Sequence, residues 1–318
     1  MATGQQHVLL SGQLDRNTLA LGSYEPDDAR TGVPSGTTLT PVSGNQIVTT
    51  PGTVLQDLDI TGYVDVRTSN VTIRRCRIRG DVTASSHYGL VHCPSGNVTN
   101  LLIEDCTLAG EASTVGFWIN GVHGHDYTAR RNRIYNVIDG LGVFNTVTPG
   151  APSNVVAEGN YVGPLLYWLN QPDHTDGSHN DGIQIHGGVG TIVRYNKFWA
   201  FNATDLADGA GGGPNGPTQT QSLSCVMLNS NTGDPYDVEI YENWCYGGSV
   251  GFNFSDDALG APGETVAIAH RNRFKQGTQW FTAVPILYEA TATFDLGAGT
   301  VDKNYWMDSG LEVPLNTG

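Results

Sequence analysis

One short pattern recurs along this chain and constrains its fold more than any other feature. It reads apolar, two mostly polar residues, Asn or Cys, one polar or aromatic residue, then apolar. The copies are VTIRRCRI around Cys76, LLIEDCTL around Cys106, YTARRNRI around Asn132 and VVAEGNYV around Asn160. TIVRYNKF around Asn196, VEIYENWC around Asn243, AIAHRNRF around Asn272 and TVDKNYW around Asn304 follow, and a weaker first copy, VLQDLDI, centres on Leu58. From Cys76 onward the centres lie 26 to 47 residues apart. A second element, an alternating run usually opened by Gly, follows most copies: GFWIN from Gly116, GLGVFN from Gly140, GIQIH from Gly182, CVMLN from Cys225 and GFNFS from Gly251. Such period-2 runs are strands with one apolar face. A unit of about 30 residues with three short strands cannot bury that face alone, and stacking the units buries it continuously. The expected fold is all-β: a right-handed parallel β-helix, a β-solenoid of about nine three-stranded coils over residues 41–310. Residues 1–40 fit no coil and read as an N-terminal arm or cap, and 311–318 as a C-terminal tail.

The remaining composition agrees. The apolar residues are spread throughout, which excludes intrinsic disorder. Ala, Glu, Lys and Leu are too scarce for a coiled coil or helical array. No apolar run approaches 18 residues, so no membrane insertion is expected. A formal net charge of −15 makes the chain a poor partner for nucleic acid, whose phosphates repel it. The five Cys form no C-x-x-C pair, and Cys76 and Cys106, at equivalent inward positions, read as stacked buried thiols standing in for Asn.

Charge follows the repeat. Of 16 Lys and Arg, 13 lie within three positions of a repeat centre, and the position two before it reads Arg74, Glu104, Arg130, Glu158, Arg194 on successive coils. Opposite charges then face each other up the stack. Two readings stand: a surface salt-bridge ladder, or a basic stripe that docks a partner chain. In either case the rest of the surface carries most of the acidity.

An inward Asn at a tight bend can donate and accept along a stack of coils and tolerates left-handed geometry. This column resembles the asparagine ladder of the pectate-lyase-like superfamily of right-handed parallel β-helices, over about residues 40 to 310. The stretch TGVPSGTTLTPVSGNQIVTTPGTVLQDLDITGYVDVRTSNVTIRRCRIRG, Thr31 to Gly80, is similar to the opening of many β-helix proteins of actinobacteria and their phages, where such chains are minor tail or tail-spike-like proteins. The resemblance implies a virion protein of the phage tail, assembled in the host cytoplasm. Its expected partners are host cell-wall or capsular polysaccharide, other tail proteins and copies of itself, a trimer being common among tail spikes. The N-terminus has neither a basic n-region nor an apolar h-region, which suits a virion protein released by lysis better than a secreted, extracellular one.

The densest polar constellation is QPDHTDGSHNDGIQIHGG, Gln171 to Gly188. Alternation puts Ile183 and Ile185 inward and Gln184 and His186 outward. Aligning the strands by their opening residue sets Trp118, Gly142, Gln184, Met227 and Asn253 in one outward line, and Asn120, Phe144, His186, Asn229 and Ser255 in the next. Asp139 and Asp181 fall just before their strands. The two longest insertions, 163–181 and 202–223, precede these strands; one is aromatic, with Tyr167 and Trp168, and the other Gly-rich. Together they are expected to wall a groove in which ring faces stack on sugars while Asn, Gln, Asp and His meet hydroxyls. SHNDGIQIHGG also resembles an H-x-D-G-(I/V)-Q stretch of the superfamily. By that likeness His179, Asp181 and His186 are the candidate catalytic residues, and Gln184, Asp139, Trp168, Tyr167, Asn229 and Asn253 the candidate substrate-binding ones.

Three functions compete for this cluster: a phage tail protein that contacts host-envelope polysaccharide, a free secreted polysaccharide lyase or glycoside hydrolase, and a purely structural tail subunit. The chain lacks the Asp-Asp plus Gly-His-Gly set of polygalacturonases and the groove Arg that pectate lyases employ as base. His174, His179 and His186 with Asp173, Asp176 and Asp181 match no zinc signature. No cofactor is required, and calcium on the carboxylates is the one ion the resemblance allows.

Overall fold

The alternating runs find their partners one repeat away in sequence. A computed structural model describes residues 24–80, 88–93, 96, 98–111, 118–145, 151–168, 174, 177–201, 223–254, 265–279, 284–288 and 291–317. Among these residues there is no helix, and every strand pairs parallel with its counterpart in the next coil. The result is a right-handed parallel β-helix with three faces, two sheets of ten strands and one of nine. The first sheet opens with Thr40–Ser43, the second with Gln46–Val48 and the third with Val54–Gln56; the chain then returns to the first at Leu58–Thr61. The last strand, Leu315–Thr317, pairs with Ile286–Tyr288 in the second sheet, so the solenoid runs through the segment read as a tail from 311. Inward Val, Ile, Leu and Phe of all three sheets make one continuous core.

The corner from the third sheet to the first is nearly invariant. Two residues separate Thr72–Arg74 from Arg77–Ile78, and two still separate Ala267–His270 from Arg273–Phe274. The second of the two is the ladder residue. Asn132 donates its backbone N–H and its Nδ2 to Asn160 Oδ1, at 2.9 and 3.0 Å. Asn160 does the same to Asn196, and the chain continues through Asn243 and Asn272 to Asn304. Each Nδ2 also donates to a strand carbonyl of the preceding coil, for example Ile103 and Ala129. All six asparagines are buried and satisfied. The left-handed residue of the corner is not the Asn, as expected from sequence, but the one before it: Arg75, Asp105, Arg131, Gly159, Tyr195, Glu242 and Arg271 have φ between 51° and 64°. Each non-glycine in that region costs about 1–3 kcal/mol, and the hydrogen-bonded corner over-determines it. Cys76 and Cys106 continue the column as free thiols, the Cys76 N–H lying 3.4 Å from Cys106 Sγ.

The charged columns pair between coils. Arg130 reaches Glu104 at 2.8 Å, Arg194 reaches Glu158 at 2.7 Å, and Arg131 reaches Asp105 at 2.9 Å. Arg75–Asp57 and Arg271–Glu242 repeat the arrangement at either end. Outward on the first sheet the cations lie over rings, Arg133 at 3.8 Å from the Tyr161 centroid and Arg273 at 4.2 Å from that of Trp244.

The described part of the N-terminal arm lies along the flank of the first sheet, not across a solenoid end. Gly32 donates to the Arg131 carbonyl and Val33 to Thr107 Oγ1. Asp28 meets Arg133, and Glu25 accepts from Lys197 Nζ at 2.7 Å and from the Tyr246 hydroxyl at 3.0 Å.

Candidate functional site

Strand bounds alone locate the variable surface. While the third-to-first corner keeps its two residues, the link from first to second sheet grows from two residues, after Trp244–Gly247, to twenty-two, after Lys197–Ala200. The link from second to third ranges from two residues, after Asn180–His186, to twelve, after Val250–Phe254. Every long insertion between Thr72 and Phe274 therefore borders the second sheet, and on a solenoid the insertion-bearing side is commonly the binding side.

Ile183 and Ile185 of Asn180–His186 are fully buried, and the alternate Gln184 and His186 are half-buried on the outer face. The register runs His92, His123, Gly142, Gln184, Met227, Asn253 in one line and Phe144, His186, Asn229 in the next. The coil holding GFWIN departs from expectation. Its strand is Asn120–Gly124, so His123, not Trp118, faces Gly142, and the exposed Trp118 precedes the strand. Asn120 belongs to the buried column of Asp139 and Asp181 rather than to the line of Phe144 and His186. A five-residue offset arose because Gly116 and Gly121 both precede alternating residues; the repeated Val-His of LVHC and GVHG is the signal that aligns this strand with Gly89–Cys93.

Rings run along this face. His92 and His123 centroids lie 5.5 Å apart, His123 stacks on Phe144 at 4.3 Å, and Phe144 meets His186 at 4.3 Å. Gly142 makes room for this row, since a Cβ there would lie 2.7 Å from the Phe144 ring. The rings close on one another, His123 and Phe144 face to face, and bury imidazole nitrogens as they do so. His123 Nδ1 and His186 Nε2 have no hydrogen-bond partner in the protein. Burial lowers the imidazole of His123 to about 3, helped by His92 and His186, and burial alone lowers that of His186 to about 4. Both rings are neutral at ordinary pH. The unfolded chain therefore binds more protons than the native one between the ordinary histidine value of 6.5 and those depressed values. The stability of the neutral rings is present above about pH 6.5 and lost as pH falls through that window. Relative to the non-titrating His123→Phe, the parent protein is expected to lose a few kcal/mol between about pH 6.5 and pH 4. Imidazole NMR titrations with midpoints near 6.5 would contradict this.

Asp139 and Asp181 are buried at the strand edge, not open to a groove. Asp139 Oδ1 accepts from the Asp181 N–H at 2.8 Å, and Asp181 Oδ1 accepts from the Ser224 N–H at 3.1 Å and from the Ser224 hydroxyl. They thus form a second, shorter ladder. Burial, with the Asp181 carboxyl beside it, pushes the Asp139 carboxyl well above the ordinary range. Asn229 is buried, although it shares the parity of His186, and its Oδ1 accepts from the Asn231 N–H. Asn253 is half-buried on the outer face.

The aromatic insertion does not stand clear of the core. Leu165, Leu166 and Tyr167 are buried, and Trp168 packs partly against the core while its backbone N–H donates to Ser178 Oγ. His179 is exposed, its ring stacked on His174 with centroids 3.9 Å apart. Asp173, Asp176, Ser255 and the Gly-rich segment 207–217 lie outside the described residues. Among the described residues no three His, Cys, Asp or Glu side chains gather to hold a metal ion.

The chemistry this arrangement permits follows from burial. Hydrolysis of a glycoside by two carboxylates needs both to reach the substrate, whereas Asp65 and Asp181 on the described second-sheet strands, and Asp139 just before one, are buried, and the part-buried Asp126 beyond Asn120–Gly124 is held by His125 Nδ1 at 2.6 Å. What the described strands present outward is the half-buried amides of Gln184 and Asn253, with the exposed Tyr88 ring against His92 and His123 at one end. The chain matches no protein-family model and no curated protein.

Proposed function

We propose that this chain holds a polysaccharide along the outer face of the second sheet, and that it does so as a phage minor tail, tail-spike-like protein contacting the host cell envelope. One observation carries the binding reading. The long insertions border the second sheet, whose outer face offers the amides of Gln184 and Asn253 beside the neutral rings of His123 and His186. Side-chain amides on a rigid ladder suit the regularly spaced hydroxyls of a sugar polymer. The virion setting rests on the resemblance of Thr31–Gly80 to β-helix tail proteins. Binding without cleavage is favoured over a lyase or hydrolase because the strand carboxylates are buried.

The test is to titrate host cell-wall or capsular polysaccharide into the purified protein and to assay the mixture for new reducing ends and unsaturated products. Binding is expected without either product. Gln184→Ala with Asn253→Ala is expected to weaken it about tenfold, two polar contacts at roughly 0.5–1.5 kcal/mol each, with the melting temperature kept. Absence of binding, or binding indifferent to both substitutions, rejects the reading; product formation moves it to the enzyme alternative.

A further inference from the structure

Cations are sorted by face in this molecule. Arg74, Arg130 and Arg194 stand on the third sheet, Arg75, Arg131 and Arg271 in the corner, and Arg77, Arg133, Lys197 and Arg273 on the first sheet. Three lie beside second-sheet strands or their links, and each is engaged: Arg67 with Asp65, Arg79 with Asp59 and Glu111, Lys275 with Asp308. On the second-sheet strands themselves, among the described residues, there is no Lys or Arg. The sequences linking these strands to their neighbours go further. Segments 81–87, 112–117, 146–150, 169–173, 202–222 and 255–264 contain no Lys or Arg, while Asp173, Asp205, Asp208, Asp256, Asp257 and Glu264 are among them.

From this segregation we infer that the glycan held on the second sheet is a carboxylate-free polymer, bound best when it bears free amines, and not a polyuronate; the inference rests on the proposed reading of that face. A uronate carboxylate laid on Gln184, His186 and Asn253 would be stripped of water without a cation to receive it, and a desolvated unpaired charge is strongly unfavourable. The only side chains on the row able to become cationic, His92, His123 and His186, pack against one another or against Phe144, and His123 and His186 are held neutral by burial. An ammonium group meets the reverse situation. The molecule carries a net charge of −15, its cations are committed elsewhere, and the resulting potential draws amines toward this side. The exposed ring of Trp118, just ahead of its strand, adds an apolar face at the margin.

Calorimetric titration of the full chain with three oligosaccharides of equal length separates the outcomes: β-1,4-linked glucosamine, its N-acetylated form and galacturonate, at low and high salt, with and without calcium. The expected order is glucosamine, then N-acetylglucosamine, then galacturonate. At low salt the extremes should differ at least about tenfold, with the gap closing as salt screens the field. Equal affinities, or galacturonate bound as tightly as glucosamine in either calcium condition, overturn the charge preference. If that binding is still lost in Gln184→Ala with Asn253→Ala, the face reading survives. Failure of all three probes to bind overturns both.

Discussion

Replacing Asn160 with Leu is expected to lower the melting temperature by roughly 10 °C and to loosen the coils on either side. Asn160 Oδ1 receives two donors from Asn132, and Asn160 Nδ2 supplies both the Ala129 carbonyl and Asn196 Oδ1. Leucine has the same branched outline of heavy atoms, with bulkier methyl groups, and leaves these groups unpaired in a buried site. At about 1–3 kcal/mol for each orphaned buried group, two or three of them sum to roughly 3–6 kcal/mol, a large part of a native stability of about 5–15 kcal/mol. For a chain of this size each kcal/mol corresponds to about 2–4 °C. Hydrogen exchange supplies a local check, with protection falling first at the Asn132 N–H, which loses its acceptor. An unchanged melt with unchanged exchange would mean that the ladder contributes nothing to holding the coils together.

Gly182→Ala is expected to be comparably damaging for the opposite reason. A Cβ there would lie 2.5 Å from Phe198 Cδ1 and 2.6 Å from the Cys225 carbonyl oxygen. The carbonyl is backbone of the next coil and cannot rotate away, so the coils must separate; overpacking of this kind costs about 1–3 kcal/mol or more. The same position is Gly140 against Val162 and Gly251 against Phe274, whereas Cys225, whose neighbour in the next coil is the small Cys245, tolerates a side chain. The glycine that opens these strands is thus dictated by a bulky residue of the first sheet, one coil later. Soluble expression of Gly182→Ala with a melt within about 2 °C of the parent would refute the close approach, the expected loss being several times larger.

Sequence reading succeeded where a residue's role repeats. The Asn column, the alternating charges and the glycine-led strands each recur once per coil, so periodicity revealed them together with the fold. It faltered where one coil offered two registers, as at Gly116 and Gly121. It could not separate a carboxylate that faces substrate from one that accepts backbone N–H groups, since Asp181 has the same neighbours in sequence in either case; only its burial and its bond to Ser224 decide. Leu165 to Trp168 looked like a wall of rings because nothing in an insertion marks which side chains turn inward. The docking of Glu25 and Asp28 on Lys197 and Arg133 joins residues more than a hundred positions apart, with no repeat to betray it.

The thiol step in the ladder sets how the molecule responds to force. Tension along the long axis loads the contacts between successive coils in series, and a series yields at its weakest link. From Cys106 to Asn304 that link includes an amide bond of 2.9–3.1 Å at every coil. Between Cys76 and Cys106 it is a 3.4 Å contact to sulfur, a poorer acceptor. Peeling is therefore expected to begin at the amino-terminal coils. Yet the arm leaves the first strand at Thr40 and fastens at Thr107, Arg131, Arg133, Lys197 and Tyr246, all beyond the weak step. A coil that lets go stays tethered by this side strap, close enough to restack when the pull ends.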